Sequence, residues 1–229
     1  MTALLLLHTS PAHVPVFDAL RDRNHPGAVL RHLVAPELLD RARAAGPESV
    51  APALRALLAE AEAEAEAEAE AGAEAEAGFG AVLVTCSTIG ATAESLAPAL
   101  GVPVLRVDRP MAAAAVRAGT RIAVLATVES TLAPTRELLA EEAGERPVSI
   151  RTHLVAGAWE RFEAGDTDGY LARVAEAVGA VTDAEVIVLA QASMAGAADL
   201  VTGTVPVLSS PAPGLAAGLA ASLAIRSAP

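Results

Sequence analysis

The feature that most constrains this chain is a recurring short apolar run that no polar residue interrupts, seen at Leu4–Leu7, Ala81–Val84, Ile122–Leu125 and Val186–Leu189. A strand with one wet face alternates apolar with polar residues. An unbroken run is what a strand needs when both of its faces are covered, as in a parallel sheet flanked by helices. Segments 3–8, 28–35, 81–86, 102–107, 121–126, 149–156, 184–190 and 205–209 read as strands on this basis. Helical segments fall between them, near 14–23, 48–77, 89–100, 111–118, 130–144, 167–181, 194–202 and 214–226. Alternation of strand and helix implies parallel sheets with right-handed crossovers. Hydrophobic residues make up 53% of the chain and aromatics only 2%, so the core is built from aliphatic side chains and Ala.

The order of the strands repeats. Arg31-His32-Leu33-Val34-Ala35 matches Thr152-His153-Leu154-Val155-Ala156. Ala81-Val82-Leu83-Val84-Thr85-Cys86 matches Val186-Ile187-Val188-Leu189-Ala190-Gln191, and Val102-Pro103-Val104-Leu105 matches Val205-Pro206-Val207-Leu208. Three matches in the same order imply two copies of one four-strand unit. The expected fold is therefore α/β, with two pseudo-symmetric doubly wound domains, each holding a four-stranded parallel sheet. Residues 1–110 form the first half, 111–205 the second, and 206–229 pack back on the first. A ligand site is expected in the cleft between the halves.

The single cysteine excludes an intramolecular disulfide framework and fits a cytoplasmic protein. No apolar run approaches the ~20 residues of a membrane span. The net charge of −12 argues against a nucleic-acid partner. Much of it is local: eight of the 28 acids are Glu60, Glu62, Glu64, Glu66, Glu68, Glu70, Glu74 and Glu76, and the rest exceed the 16 bases by only four. Ala and Glu are strong helix formers, so residues 48–77 read as one long helix whose second half projects into solvent.

In parallel α/β sheets, ligands bind beyond the carboxyl ends of strands, where helix N-termini offer free N–H groups. The expected strand ends are rich in small hydroxyl residues: His8-Thr9-Ser10, Thr85-Cys86-Ser87-Thr88, Thr127 with Ser130 and Thr131, and Gln191 with Ser193. Hydroxyls at these places serve either as helix caps or as a cradle for a carboxylate. Cys86 stands between a strand and a helix start, where the helix dipole favours a thiolate; the alternative is an inert buried thiol. His8 is a candidate for orienting a substrate or relaying a proton, while His32 and His153 read as structural. His8 and His13 lack the spacing of a metal pair, and no metal or cofactor motif is present. Gly165-Asp166-Thr167-Asp168-Gly169 reads as a helix cap and not a calcium loop.

The run Val84-Thr85-Cys86-Ser87-Thr88-Ile89-Gly90 resembles the first cysteine motif of the aspartate/glutamate/hydantoin racemase family. Pro103 to Met111 looks like the segment that follows it there, and Ala126-Thr127 with Ser130-Thr131-Leu132 and Pro134-Thr135 is similar to the start of that family's second half. The resemblance spans nearly the whole chain. It implies a cofactor-independent enzyme acting beside the carboxylate of a small amino or dicarboxylic acid, with two cysteines flanking the acidic carbon. The superfamily it points to also includes arylmalonate decarboxylases and maleate isomerases. Gln191 stands where the second cysteine belongs, and a carboxamide neither accepts nor donates a proton in that role. The resemblance then implies one-cysteine chemistry at Cys86, as isomerase, decarboxylase or lyase, with Thr9, Ser10, Ser87, Thr88, Thr127, Ser130, Thr131, Gln191 and Ser193 binding the acid. The rival expectation is a small-acid-binding protein without turnover. The partners compatible with this sequence are a small carboxylic acid and a second copy of the chain in a homo-oligomer, with no nucleic acid and no membrane.

Overall fold

The computed structural model of the protein describes residues 3–70 and 78–224. Among the described residues, eight strands run in chain order as β1 (Ala3–His8), β2 (Leu30–Val34), β3 (Phe79–Val84), β4 (Val104–Arg106), β5 (Arg121–Ala126), β6 (Ser149–Leu154), β7 (Val186–Leu189) and β8 (Val207–Ser209). They form two four-stranded sheets, ordered β2-β1-β3-β4 and β6-β5-β7-β8, with every pairing parallel. The chain divides into two compact units, Met1–Val107 with Pro211–Pro229, and Asp108–Ser210. Because β8 pairs with β7, the second unit runs on to Ser210 and does not stop at 205. The four central strands carry the uninterrupted apolar runs, and β1, β3 and β7 are buried along their whole length. Flanking helices remove both faces of these central strands from water, so their polar residues stand at or beyond the strand ends, whereas the edge strands β2 and β6 carry Arg31, His32, Arg151, Thr152 and His153 along their length.

Strand pairing refines the internal repeat. His8 pairs with Val34 in the first sheet, and its counterpart Ala126 pairs with Leu154 in the second. The equivalence of β2 and β6 is thus offset by 120 residues, one fewer than the sequence match suggests, and Arg31 corresponds to Arg151. A slip of one residue moves a side chain to the other face of a strand. His32 is half-buried and bonded to His8, whereas both His153 and Thr152, the counterpart of His32, are exposed on the edge strand β6. The other matches hold in register: Leu7 pairs with Val84 and Leu125 with Leu189, so the residues that follow, Cys86 and Gln191, occupy equivalent places.

The helices of the first unit include α1 (His13–Asn24), α2 (Pro36–Ala45), α3 (Ala51–Glu70), α4 (Ser87–Glu94) and α5 (Ala97–Leu100). α2 is absent from the sequence-based assignment. It opens with Pro36 in its first turn, where a missing N–H costs nothing, and buries only Leu38 and Ala42 among Glu, Asp and Arg. α3 corrects the expectation that the second half of the 48–77 helix projects into solvent. Leu54, Leu58 and Ala65 are fully buried and Ala61 packs on the same core, a stripe at helical spacing. The alternation of Ala with Glu places an alanine on this stripe at both 61 and 65, and its small side chain permits close packing. Glu68 Oε2 then reaches Arg31 Nη2 on β2 at 2.6 Å. Residues 71–77, including Glu74 and Glu76, lie outside the described residues.

The second unit contains α6 (Arg109–Ala118), α7 (Leu132–Ala143), α8 (Ala158–Glu163) and α9 (Thr167–Gly179), with a 3-10 segment at Ala192–Leu200 in place of the expected α-helix. Asp166 caps α9 by accepting the Gly169 N–H at 3.0 Å, as its loop composition suggested. The last helix, α10 (Pro211–Ala224), returns to the first unit along a stripe of small residues. Gly214 lies against the Val107 backbone, Gly218 against Leu4, and Ser222 against Gly80, with Ser222 Oγ donating to the Ala3 carbonyl at 3.2 Å. No described helix is long and apolar enough to cross a membrane.

The packing of α3 makes a direct prediction. Ala65→Glu buries an unpaired charge and should cost at least about 2 kcal/mol in urea unfolding, whereas Ala63→Glu, at an exposed position two residues away, should stay within about 0.5 kcal/mol.

Candidate active site

The chemistry-bearing residues collect at the carboxyl ends of the central strands, in each unit separately. In the first unit, Cys86 follows β3 by two residues, in extended backbone (φ −105, ψ 113), and is the N-cap of α4. Its side chain is buried in the cluster that holds Leu7, Ala35, Val84 and Ile89. Ser87 and Thr88 are buried in the first turn of α4, and Thr9 is buried at the end of β1. Ser10 is half-buried, and its Oγ accepts the Ala12 N–H at 3.4 Å. Arg106, at the end of β4 beside Val84, is also buried. Its side chain lies so close to Gly90 that a Cβ there would meet Arg106 Nε at 2.9 Å, so a glycine in α4 is what admits the guanidinium. Sequence reasoning passed over Arg106; the available signal was a cation ending the otherwise apolar Val104-Leu105-Arg106.

The opposite face of the same sheet carries a buried polar chain. Thr85 Oγ1 donates to the Leu7 carbonyl at 3.1 Å and lies 2.9 Å from His8 Nδ1. With its proton committed to that carbonyl, the Thr85 hydroxyl accepts from His8 Nδ1–H, a direction set by donor counting. His8 Nε2 is 2.8 Å from His32 Nδ1, and His32 Nε2 is 3.4 Å from Asp18 Oδ1. His8 is fully buried against Phe17 on α1, the side of Leu4 and Leu6, whereas Cys86 lies on the side of Leu5 and Leu7. Both ring nitrogens of His8 are engaged inside the protein, so its place is that of a brace between β1, β2 and β3. Burial, then the neighbouring His13 and His32, push its pKa down to about 3. Burial lowers His13 to about 4, and its Nδ1 has no hydrogen-bond partner among the described residues. Among the described residues, no group of three or more His, Cys, Asp or Glu side chains is placed to hold a metal ion.

In the second unit, Gln191 follows β7 in extended backbone (φ −123, ψ 141) and precedes the 3-10 segment, as Cys86 precedes α4. Its Oε1 accepts three hydrogen bonds: from Thr127 N at 2.6 Å, Thr127 Oγ1 at 2.9 Å and Val128 N at 3.2 Å. Behind this group Tyr170, fully buried on α9, places its hydroxyl 2.8 Å from Ser193 Oγ and 3.5 Å from Thr127 Oγ1. Burial raises the Tyr170 pKa, against the opposing pull of Ser193 and Thr127, so the phenol stays protonated. Tyr170 was also missed in the sequence, because an aromatic at helical spacing reads as core. Thr131 is buried and Ser130 half-buried in the turn Glu129–Thr131. A cavity of about 360 Å³ in this unit is lined by Val178, Ile187, Leu200, Val201, Thr202 and Gly203 among others.

Two strand ends in matching register thus present a thiol in one unit and a carboxamide in the other. The model of the Asp/Glu/Hydantoin racemase family matches residues 16–217. The chain belongs to this family. No curated protein sequence matches it. Its fold is similar to that of the aspartate racemase of Picrophilus torridus (TM-score 0.68, 12% identity, covering 97% of this chain and 94% of that one). It is similar also to the glutamate racemase isoform RacE1 of Bacillus anthracis (TM-score 0.65, 18% identity, 98% and 82%). A liganded arylmalonate decarboxylase, itself a double mutant with one cysteine introduced and another replaced by serine, matches at a TM-score of 0.58 with 20% identity over 97% and 93%.

The buried histidines make stability depend on pH in a defined direction. Both folded-state pKa values lie below the ordinary 6.5, so the unfolded chain binds more protons, and the stabilising contribution is complete above pH 6.5. As pH falls from 6.5 toward 4 the unfolding free energy should drop, by up to about 1.4 kcal/mol per pH unit for each histidine. Urea titrations of the wild type and His13→Leu at pH 7, 6 and 5 should show a shallower pH slope in the variant.

Proposed function

We propose that the protein is a cofactor-independent enzyme that moves a proton at the carbon beside the carboxylate of a small acid, with Cys86 as its one acid/base group. The observation behind this reading is that Cys86 and Gln191 follow equivalent strands in equivalent backbone, and only the first can carry a proton. In the deprotonation direction the Cys86 thiolate takes the α-proton, and the electron pair passes into the carboxylate as an enediolate. Backbone N–H groups and hydroxyls at Ser87 and Thr88 stabilise that charge as it develops. The thiol then returns the proton to the same face. With a malonate, the bond to one carboxylate breaks instead, carbon dioxide leaves, the electron pair stays on carbon, and the Cys86 thiol protonates it.

One-sided chemistry has a consequence for stereochemistry. A family member with two thiols inverts the carbon; a single thiol exchanges hydrogen on one enantiomer with retention, or yields one enantiomer on decarboxylation. Isomerase-like exchange and decarboxylation are two outcomes of the same enediolate, and Gln191 in place of a thiol favours either over full racemisation.

Incubation with D- and L-Asp, D- and L-Glu and simple malonates in deuterated water, followed by NMR at the α-carbon, should reveal incorporation into at least one of these acids, without loss of optical purity where that acid is chiral. Cys86→Ser should lower the rate at least about 100-fold, since a hydroxyl is far less acidic than a thiol. An active Cys86→Ser variant, or interconversion of enantiomers, would refute the one-thiol reading. Ligand-induced thermal stabilisation with no exchange would identify a binding protein.

A further inference from the structure

The orientation of the Gln191 amide is decided by chemistry. The backbone N–H groups of Thr127 and Val128 can only donate, and both meet one atom of the side chain, at 2.6 and 3.2 Å. That atom must be the oxygen, because an amide nitrogen offers no lone pair to accept them. The Thr127 hydroxyl adds a third donor to the same oxygen at 2.9 Å. Three donors saturate Oε1. The other end, Nε2, has no hydrogen-bond partner among the described residues. Tyr170, in hydrogen-bond reach of both Thr127 and Ser193, holds the group from behind. The residue therefore offers two N–H donors and no acceptor, at the place where Cys86 stands in the first unit.

We infer that the carboxyl end of β7 is an oxyanion subsite, in which Gln191 Nε2 binds a carboxylate or carbonyl oxygen of the substrate and rejects an ammonium group. An ammonium brings only donors; against Nε2 it would leave donors facing donors, and discrimination by an unsatisfied polar group is steep. The ligand class follows: an acid that brings a carboxylate or carbonyl oxygen to this strand end, such as a substituted malonate with its second carboxylate, in preference to an α-amino acid. This rests on the reading of the chain as an enzyme acting beside a carboxylate.

Methylmalonate and alanine form a matched pair, differing only in carboxylate against ammonium. Calorimetry should show methylmalonate binding the wild type at least tenfold more tightly than alanine. Gln191→Glu retains an oxygen for Thr127 and Val128 but replaces the N–H donors with a second oxygen. It should keep its melting temperature, weaken methylmalonate at least tenfold, and leave alanine no weaker than before. Thr127→Val, which removes one of the three donors that fix the amide, should reduce the preference by a smaller factor. Equal or tighter binding of alanine by the wild type, no measurable binding of either acid, or an unchanged preference in a folded Gln191→Glu would overturn the inference. Deuterium exchange tests the enzyme reading separately. If the preference switches as described but neither acid exchanges its α-hydrogen, the subsite stands and the catalytic reading falls.

Discussion

Every functional placement in this protein depends on the complete burial of the central strands. β1, β3 and β7 have no wet face, so each unit must cover its sheet with helices on both sides, and the crossover that supplies them keeps all strands parallel. On such a central strand a polar side chain is affordable only where the strand stops, while the edge strands β2 and β6 carry theirs along their length. The hydroxyls, the thiol and the carboxamide gather at the carboxyl ends because the physics of the core leaves them nowhere else to be.

The same constraint accounts for the polar brace in the first unit. Thr85, His8 and His32 extend a hydrogen-bonded chain from the end of β3 across β1 to β2 and on to Asp18 at the surface. A buried imidazole left without partners would be costly, and here each nitrogen of His8 is satisfied. The cost appears as depressed basicity, since the neutral forms of His8 and His13 are the ones that fit. Alternation along the strands puts this brace and Cys86 on opposite faces, which separates the structural histidines from the thiol.

In the second unit the equivalent strand end is built around the saturated oxygen of Gln191. Free N–H groups after a strand are the usual means of holding an anion in this architecture. Here the Thr127 and Val128 N–H groups are occupied by a side chain of the same unit, and the donor function is passed outward to Nε2. Replacement of a proton carrier by a fixed donor changes the chemistry available at this position without disturbing the strand that presents it.

The fold class, the parallel sheets, the two-unit repeat and the gathering of Cys86, Thr127 and Gln191 at strand ends were all legible in the sequence, because each follows from a local pattern: unbroken apolar runs, hydroxyls after them, and ordered matches. Where the local pattern misled, a one-residue or one-atom distinction was at stake. The match of His32 to His153 slipped by one, since identity along a strand does not reveal which face a residue takes. The Ala-Glu helix was read as solvated, since its alternation conceals Ala61 and Ala65 on one buried stripe until the helix is laid on the core. Arg106 and Tyr170 owe their places to neighbours distant in the chain, Gly90 for one and Thr127 with Ser193 for the other. Composition and periodicity determined what must be buried and where polar groups had to emerge. Only the tertiary structure decided which atom of Gln191 faces inward, because that choice depends on the simultaneous position of two backbone N–H groups more than sixty residues away.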